Sequence, residues 1–184
     1  RHLPRRRHQP AEVVREADVS ALDAMSEAEA RAALTRCCGA SRWVEGMLRS
    51  RPLGDAPIER ARAVWATMER ADVLEAFEHH PRIGADLAKL REKFAATKDW
   101  SAGEQAGAAA ADEATLERLR DGNVAYEARF GHIFIVCATG KTAAEMLALL
   151  EARMDNDPDE ELAVAAAEQM KITELRLHKL LDES

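Results

Sequence analysis

HIFIVCATG, residues 132 to 140, is the stretch on which the fold turns. A β-branched and aromatic run that ends in glycine has the composition of a strand. A strand needs a partner for its amide and carbonyl groups, and no obvious partner occurs elsewhere in the chain. The stretch therefore reads as an extended, buried connector within an all-α fold.

Helical signals surround it on both sides. Downstream, Thr142 and Glu145 form a capping box before AAEMLALLEARM, and Asp157 with Pro158 opens a last helix that runs to about Leu181. Upstream, Ser26 and Glu29 precede EAEARAALTRCC, with Gly39 as the stop. Ser41 is placed to cap a short helix whose Trp43, Val44, Met47 and Leu48 share a face until Pro52 ends it. Pro57 suits the first turn of the next helix, where Ile58, Ala61, Val64, Trp65 and Met68 follow the 3.6 period. Val73, Leu74 and Phe77 carry a further helix to about His79, and Asp86 to Thr97 is helical again. Ser101 and Glu104 make another capping-box pattern before an alanine-rich run to Phe130. Gly107 and Gly122 weaken that run and predict a bend, or two helices. The expectation is one compact multi-helix domain of about eight helices over residues 20–184, behind a flexible basic tail at residues 1–19.

The chain's 184 residues suit one full core, and its dominant residues are good helix formers while aromatics make up only 4%. Net charge is −7, although four arginines and no acid stand in the first ten residues. The body alone is therefore more acidic still, which argues against a nucleic-acid partner. No apolar run approaches 18 residues, so no membrane helix is expected. The N-terminal ten lack the apolar segment of a secretory signal, and the ending LLDES is not a peroxisomal SKL address. Cys37, Cys38 and Cys137 are odd in number and lack zinc-like spacing, which fits a reducing compartment and core thiols. A cytoplasmic location is the expectation.

The chemistry concentrates at EHHPRIG, residues 78 to 84. Pro81 drives His80 away from helical backbone toward an extended corner. Adjacent histidines on a helix point about 100° apart, so His79 and His80 do not share an ion readily, and no metal motif involves His132. GKT at 140–142 lacks the upstream glycine of a phosphate loop, whose place holds Ile135. Neither GxSxG nor GxGxxG occurs. What remains is acid/base work by His80, with Glu104 as a possible partner. Plainer roles stand beside it: Ser101 and Glu104 as a helix cap, His80 as a satisfied, partly buried histidine.

HPRIG, then SAGEQ about twenty residues on, then FGHIFIVCATGK and an ELRLHKLL ending follow one another in this order. The series resembles the 2-oxo-4-hydroxy-4-carboxy-5-ureidoimidazoline (OHCU) decarboxylases of urate breakdown over roughly Ala24 to Leu181. RCCGASRWVEGM is similar to the bacterial branch of that family. The resemblance implies an all-helical enzyme without cofactor or metal, commonly a homodimer, that decarboxylates OHCU to (S)-allantoin. It implies His80 as the catalytic histidine and Glu104 as its acidic partner, with Pro81, Ser101 and Gln105 as substrate contacts. Ile135, Val136, Cys137, Ala138 and Thr139 would line the pocket with backbone, and Arg176 would meet the substrate from the last helix. Read by itself, Arg176 is half of a surface ion pair. Two alternatives are a lyase or hydrolase acting on another ureido compound, and a non-catalytic helical ligand-binding or interaction module. Clustering of His80, Glu104 and residues 135–139 around one pocket separates an enzyme from a module.

Overall fold

The computed structural model of the chain describes residues 20–82, 87–95 and 105–183, with side chains except at 95 and 105–112. These residues form α1 (Ala21–Ala24), α2 (Glu27–Cys37), α3 (Ser41–Arg49), α4 (Pro57–Trp65), α5 (Arg70–Glu78), α6 (Leu87–Ala95), α7 (Gln105–Phe130), α8 (Ala143–Arg153) and α9 (Pro158–Asp182). The fold is all-α, with no strand among the described residues. Among the described residues nine helices stand where about eight were expected, because α1 adds a single turn. None of the described helices is long and apolar enough to cross a membrane.

Local chemistry accounts for several helix ends. Ser26 accepts from the Glu29 amide at 3.2 Å, and Thr142 does the same for Glu145. Pro158 sits in the first turn of α9 behind Asp157, whose carboxylate accepts from the Asp159 amide. Three positions differ in detail from the sequence reading. Ser41 is the first residue of α3 rather than its cap, and its amide and hydroxyl both donate to Glu75, which caps α3 from α5. Gly39 is not in the left-handed region of a helix stop; a Cβ there would overlap the ring of His79. Helix α7 runs unbroken through Gly122. A Cβ at Gly122 would lie 2.9 Å from a Leu150 methyl, so this glycine lets α7 and α8 approach.

Apolar burial divides into two main bodies. Leu22, Leu34, Trp43, Met47 and Ala61 pack with Leu177 of α9, while Leu90, Leu119, Tyr126, Met146 and Leu150 pack among α6, α7 and α8. The 132–140 connector runs along the seam. Phe134 and Val136 turn into the α6–α8 body, whereas Ile133 and Ile135 turn toward Val73, Phe77 and Ala165. Extended backbone sends successive side chains to opposite sides. Here both sides are apolar, which is why the stretch has a strand's composition without a strand's partner.

Candidate functional site

Helix α5 ends at the opening motif. The His79 and His80 amides donate to Ala76 and Phe77 oxygens at 3.3 and 3.1 Å, and Pro81 has no N–H with which to continue. His79 points away from the chemistry, its Nδ1 donating to the Glu75 oxygen at 3.0 Å. His80 is half-buried, and its Nε2 lies 2.5 Å from Gln169 Oε1 of α9. Burial lowers its pKa from the ordinary 6.5; the Arg176 and His79 charges add to this, and the Gln169 bond opposes it. The imidazole is therefore predominantly neutral at pH 7.

His80 and Pro81 open onto a cleft of about 330 Å³, walled by residues 133–139 of the connector and by Ile172, Leu175, Arg176 and Lys179 of α9. Lys93 of α6 completes the wall. Three cations thus face the cleft, and no carboxylate does among the described residues, in a chain whose net charge is −7. Such a cavity draws in a small anion.

The connector wall is backbone as much as side chain. Three of its carbonyls are taken: Ile135 accepts from Arg153, Cys137 from Lys141 Nζ at 2.7 Å, and Ala138 from the Lys141 amide at 3.0 Å. No described residue accepts from the amides of 134–139. Buried amides want acceptors, so this wall suits a ligand rich in carbonyl oxygens. Lys141, which the sequence offers as part of a failed phosphate loop, pins the end of the connector.

Arg176 is not a surface ion pair. Its Nη1 lies 3.4 and 3.5 Å from the Cys37 and Arg36 oxygens at the C-terminal end of α2, and no described carboxylate pairs with it. The structure thus brings His80, Pro81, residues 135–139 and Arg176 around one cleft. Ser101 and Glu104 lie outside the described residues. Gln105 begins α7, with its side chain outside the described set. His132 is buried against Phe77, Tyr126 and Phe130, with Nδ1 bonded to the Ile133 oxygen. No cluster of three metal-ligating side chains occurs among the described residues.

Sequence reading missed Gln169, Lys93 and Lys179. The signal for the α9 pair was available: 169, 172, 176 and 179 recur at helical spacing from Arg176, so one helix face fixes all four.

Residues 23–178 match the family model described as OHCU decarboxylase. The chain is 44% identical over 151 residues to the uric acid degradation bifunctional protein TTL of Arabidopsis thaliana, covering 80% of this chain and 46% of that protein. It is 35% identical over 102 residues to the 2-oxo-4-hydroxy-4-carboxy-5-ureidoimidazoline decarboxylase of Amia calva, covering 54% and 58%. The chain therefore spans about half the length of these relatives. A crystal structure of OHCU decarboxylase in the presence of (S)-allantoin superposes with a TM-score of 0.65 at 41% identity, covering 80% of this chain and 96% of that one. An (S)-allantoin synthase structure, 21% identical and covering 88% and 53%, shares the fold with a TM-score of 0.62.

Proposed function

The chain belongs to the OHCU decarboxylase family, and we infer that it decarboxylates OHCU to (S)-allantoin without a cofactor. One observation carries this reading: His80, the amide wall of 135–139 and Arg176 face one cleft lined by three cations. OHCU is a small, flat, anionic heterocycle dense in amide groups. Its carboxylate answers the cations, and its carbonyl oxygens answer the wall.

The substrate supplies its own electron sink. As the bond to the carboxylate breaks and carbon dioxide leaves, the electron pair moves into the ring, where the adjacent C=N bond accepts it. The neighbouring hydroxyl loses its proton and becomes the ring carbonyl of the product. A proton then reaches the ureido-bearing carbon on one face, which sets the configuration, and the ring nitrogen that accepted the pair takes a second proton from water. His80, neutral at pH 7, takes the hydroxyl proton. Arg176 holds the carboxylate on entry and then faces the negative charge that moves into the ring. Glu104 pairs with the His80 imidazolium once it carries the hydroxyl proton, or with a ureido N–H, Ser101 and Gln105 read the ureido and ring amides, and Pro81 packs against the ring. The amides of 135–139 donate to the ring and ureido oxygens. The enzyme works as a homodimer, in keeping with its family, and in the cytoplasm, in keeping with three unpaired cysteines.

The test is stereochemical. OHCU generated freshly from urate is mixed with the protein, and circular dichroism is followed through its decay. Rapid decay to a lasting (S)-allantoin signal is expected. Decay no faster than the uncatalysed reaction, from folded protein, overturns the reading in favour of a binding module. Light scattering tests the dimer, and a single-chain mass in solution overturns that part.

A further inference from the structure

Gln169 is wholly buried, and it meets His80 with one end of its amide and Thr173 with the other. The donors and acceptors around it favour one arrangement. Thr173, itself 1% exposed, donates its single hydroxyl hydrogen to the Gln169 backbone oxygen at 3.0 Å. Its oxygen is then left to accept only. The part of the Gln169 side chain that faces it at 3.2 Å must be the NH₂ group. That turns Gln169 Oε1 toward His80, and an acceptor in that place requires hydrogen on His80 Nε2.

We propose that Gln169 and Thr173 are positioning residues that lock neutral His80 in its Nε2–H tautomer, leaving Nδ1 as its only basic atom. Nδ1 bonds to no described residue. The neighbouring His79 shows the contrast: its Nδ1 is bound to the Glu75 carbonyl, which fixes the opposite tautomer. A flipped Gln169 amide would aim NH₂ at His80 Nε2, move the hydrogen to Nδ1 and take the base out of action. The lock makes that flip unfavourable before any ligand enters. Its catalytic meaning rests on the OHCU reading, whereas the tautomer itself does not.

The test reads the imidazole directly. Protein labelled with ¹⁵N-histidine is examined by two-bond ¹H–¹⁵N correlation without substrate, and His80 is assigned by its loss in His80→Asn. Above its titration, His80 should show a protonated Nε2 and an unprotonated Nδ1. Thr173→Val removes the acceptor that orients the amide, and Gln169→Leu removes the amide itself. Both should give signals averaged between tautomers and lower kcat by about 10²-fold, with KM changed far less. Thr173→Ser keeps the hydroxyl and should restore both the tautomer and kcat. A protonated Nδ1 in the unaltered protein, or an unchanged tautomer in a folded Thr173→Val, overturns the inference. An unaltered protein with the stated tautomer but no OHCU turnover would overturn the substrate reading and leave the lock standing.

Discussion

Arg153, the last residue of α8, donates from Nη1 to the carbonyl oxygen of Ile135 at 2.8 Å, and so holds the connector by its backbone. The same guanidinium donates from Nε to Glu161 at 2.7 Å, and Glu161 also accepts from Tyr126 and Asn156. Burial would raise the pKa of Glu161, but hydrogen bonds from Arg153, Tyr126 and Asn156 outweigh it and keep the carboxylate charged. Arg153→Met would strand that charge, and denaturant unfolding should show a loss of about 3–5 kcal/mol. Arg153→Lys keeps the charge without the planar fork that serves Ile135 and Glu161 together. Turnover should then fall by more than stability does.

The depressed pKa of His80 has a defined consequence for pH. Its active form in the proposed reaction is the neutral base, so the acid limb of kcat/KM should have its midpoint below the ordinary 6.5. The unfolded chain binds a proton near 6.5 and the folded chain resists it, so stability also falls as pH drops below that value. His80→Asn should remove this share of the acid sensitivity. An acid limb centred above 6.5 would contradict the buried, neutral assignment.

Arg176 is anchored by carbonyls at the end of α2, so its guanidinium is pre-set for a planar anion. Arg176→Lys retains charge but loses the fork that spans anchor and ligand. The expected outcome is a rise in KM of roughly 10-fold or more, a loss of about 1.5–3 kcal/mol for a charge-assisted bond. Steady-state kinetics measure it, and an unchanged KM would remove Arg176 from substrate binding.

Gly39 and Gly122 should respond differently to alanine. At Gly122 the new methyl meets the end of a Leu150 side chain, and the helix-propensity gain of about 1 kcal/mol offsets much of the crowding. At Gly39 it meets the base of the His79 side chain, next to His80. Gly39→Ala should cost about 1–3 kcal/mol in thermal unfolding and reduce turnover as well. Gly122→Ala should leave turnover nearly intact.

Burial pushes the Cys37 thiol up to about 11, and raises Cys38 in the same direction. Cys137 is only half-buried and lines the cleft. A thiol reagent near pH 8 should therefore label Cys137 first, with Cys37 and Cys38 following only on unfolding. (S)-Allantoin should slow the Cys137 reaction if it occupies the cleft. Mass spectrometry of the labelled peptides resolves the order.

Local signals in the sequence located most helices, because caps and prolines act within a turn of the residues they organise. Where the sequence misled, the deciding partner was distant. Glu75 caps α3 across 34 positions, and Leu150 packs into the space that Gly122 leaves. Gly39 clears space for a ring forty residues away. The connector was legible through a missing partner strand, although its two-sided burial was not. Of the site, the His80 corner and the Arg176 helix could be read as motifs. Gln169 was hidden because a glutamine in a charged helix looks solvated until the fold buries it. Ser101 and Glu104 fall outside the described residues.

The connector has a consequence for how occupancy can be observed. Phe134, Ile135 and Val136 are buried, yet their amides donate to no described acceptor. Their exchange with deuterium is thus slowed by packing alone and not by the bonded ladders that protect helices. A bound ligand that accepts from them would add the missing protection at those positions. The seam between the two apolar bodies is, in this sense, a built-in gauge: its backbone reports whether the cleft is full, with no label attached and no turnover required.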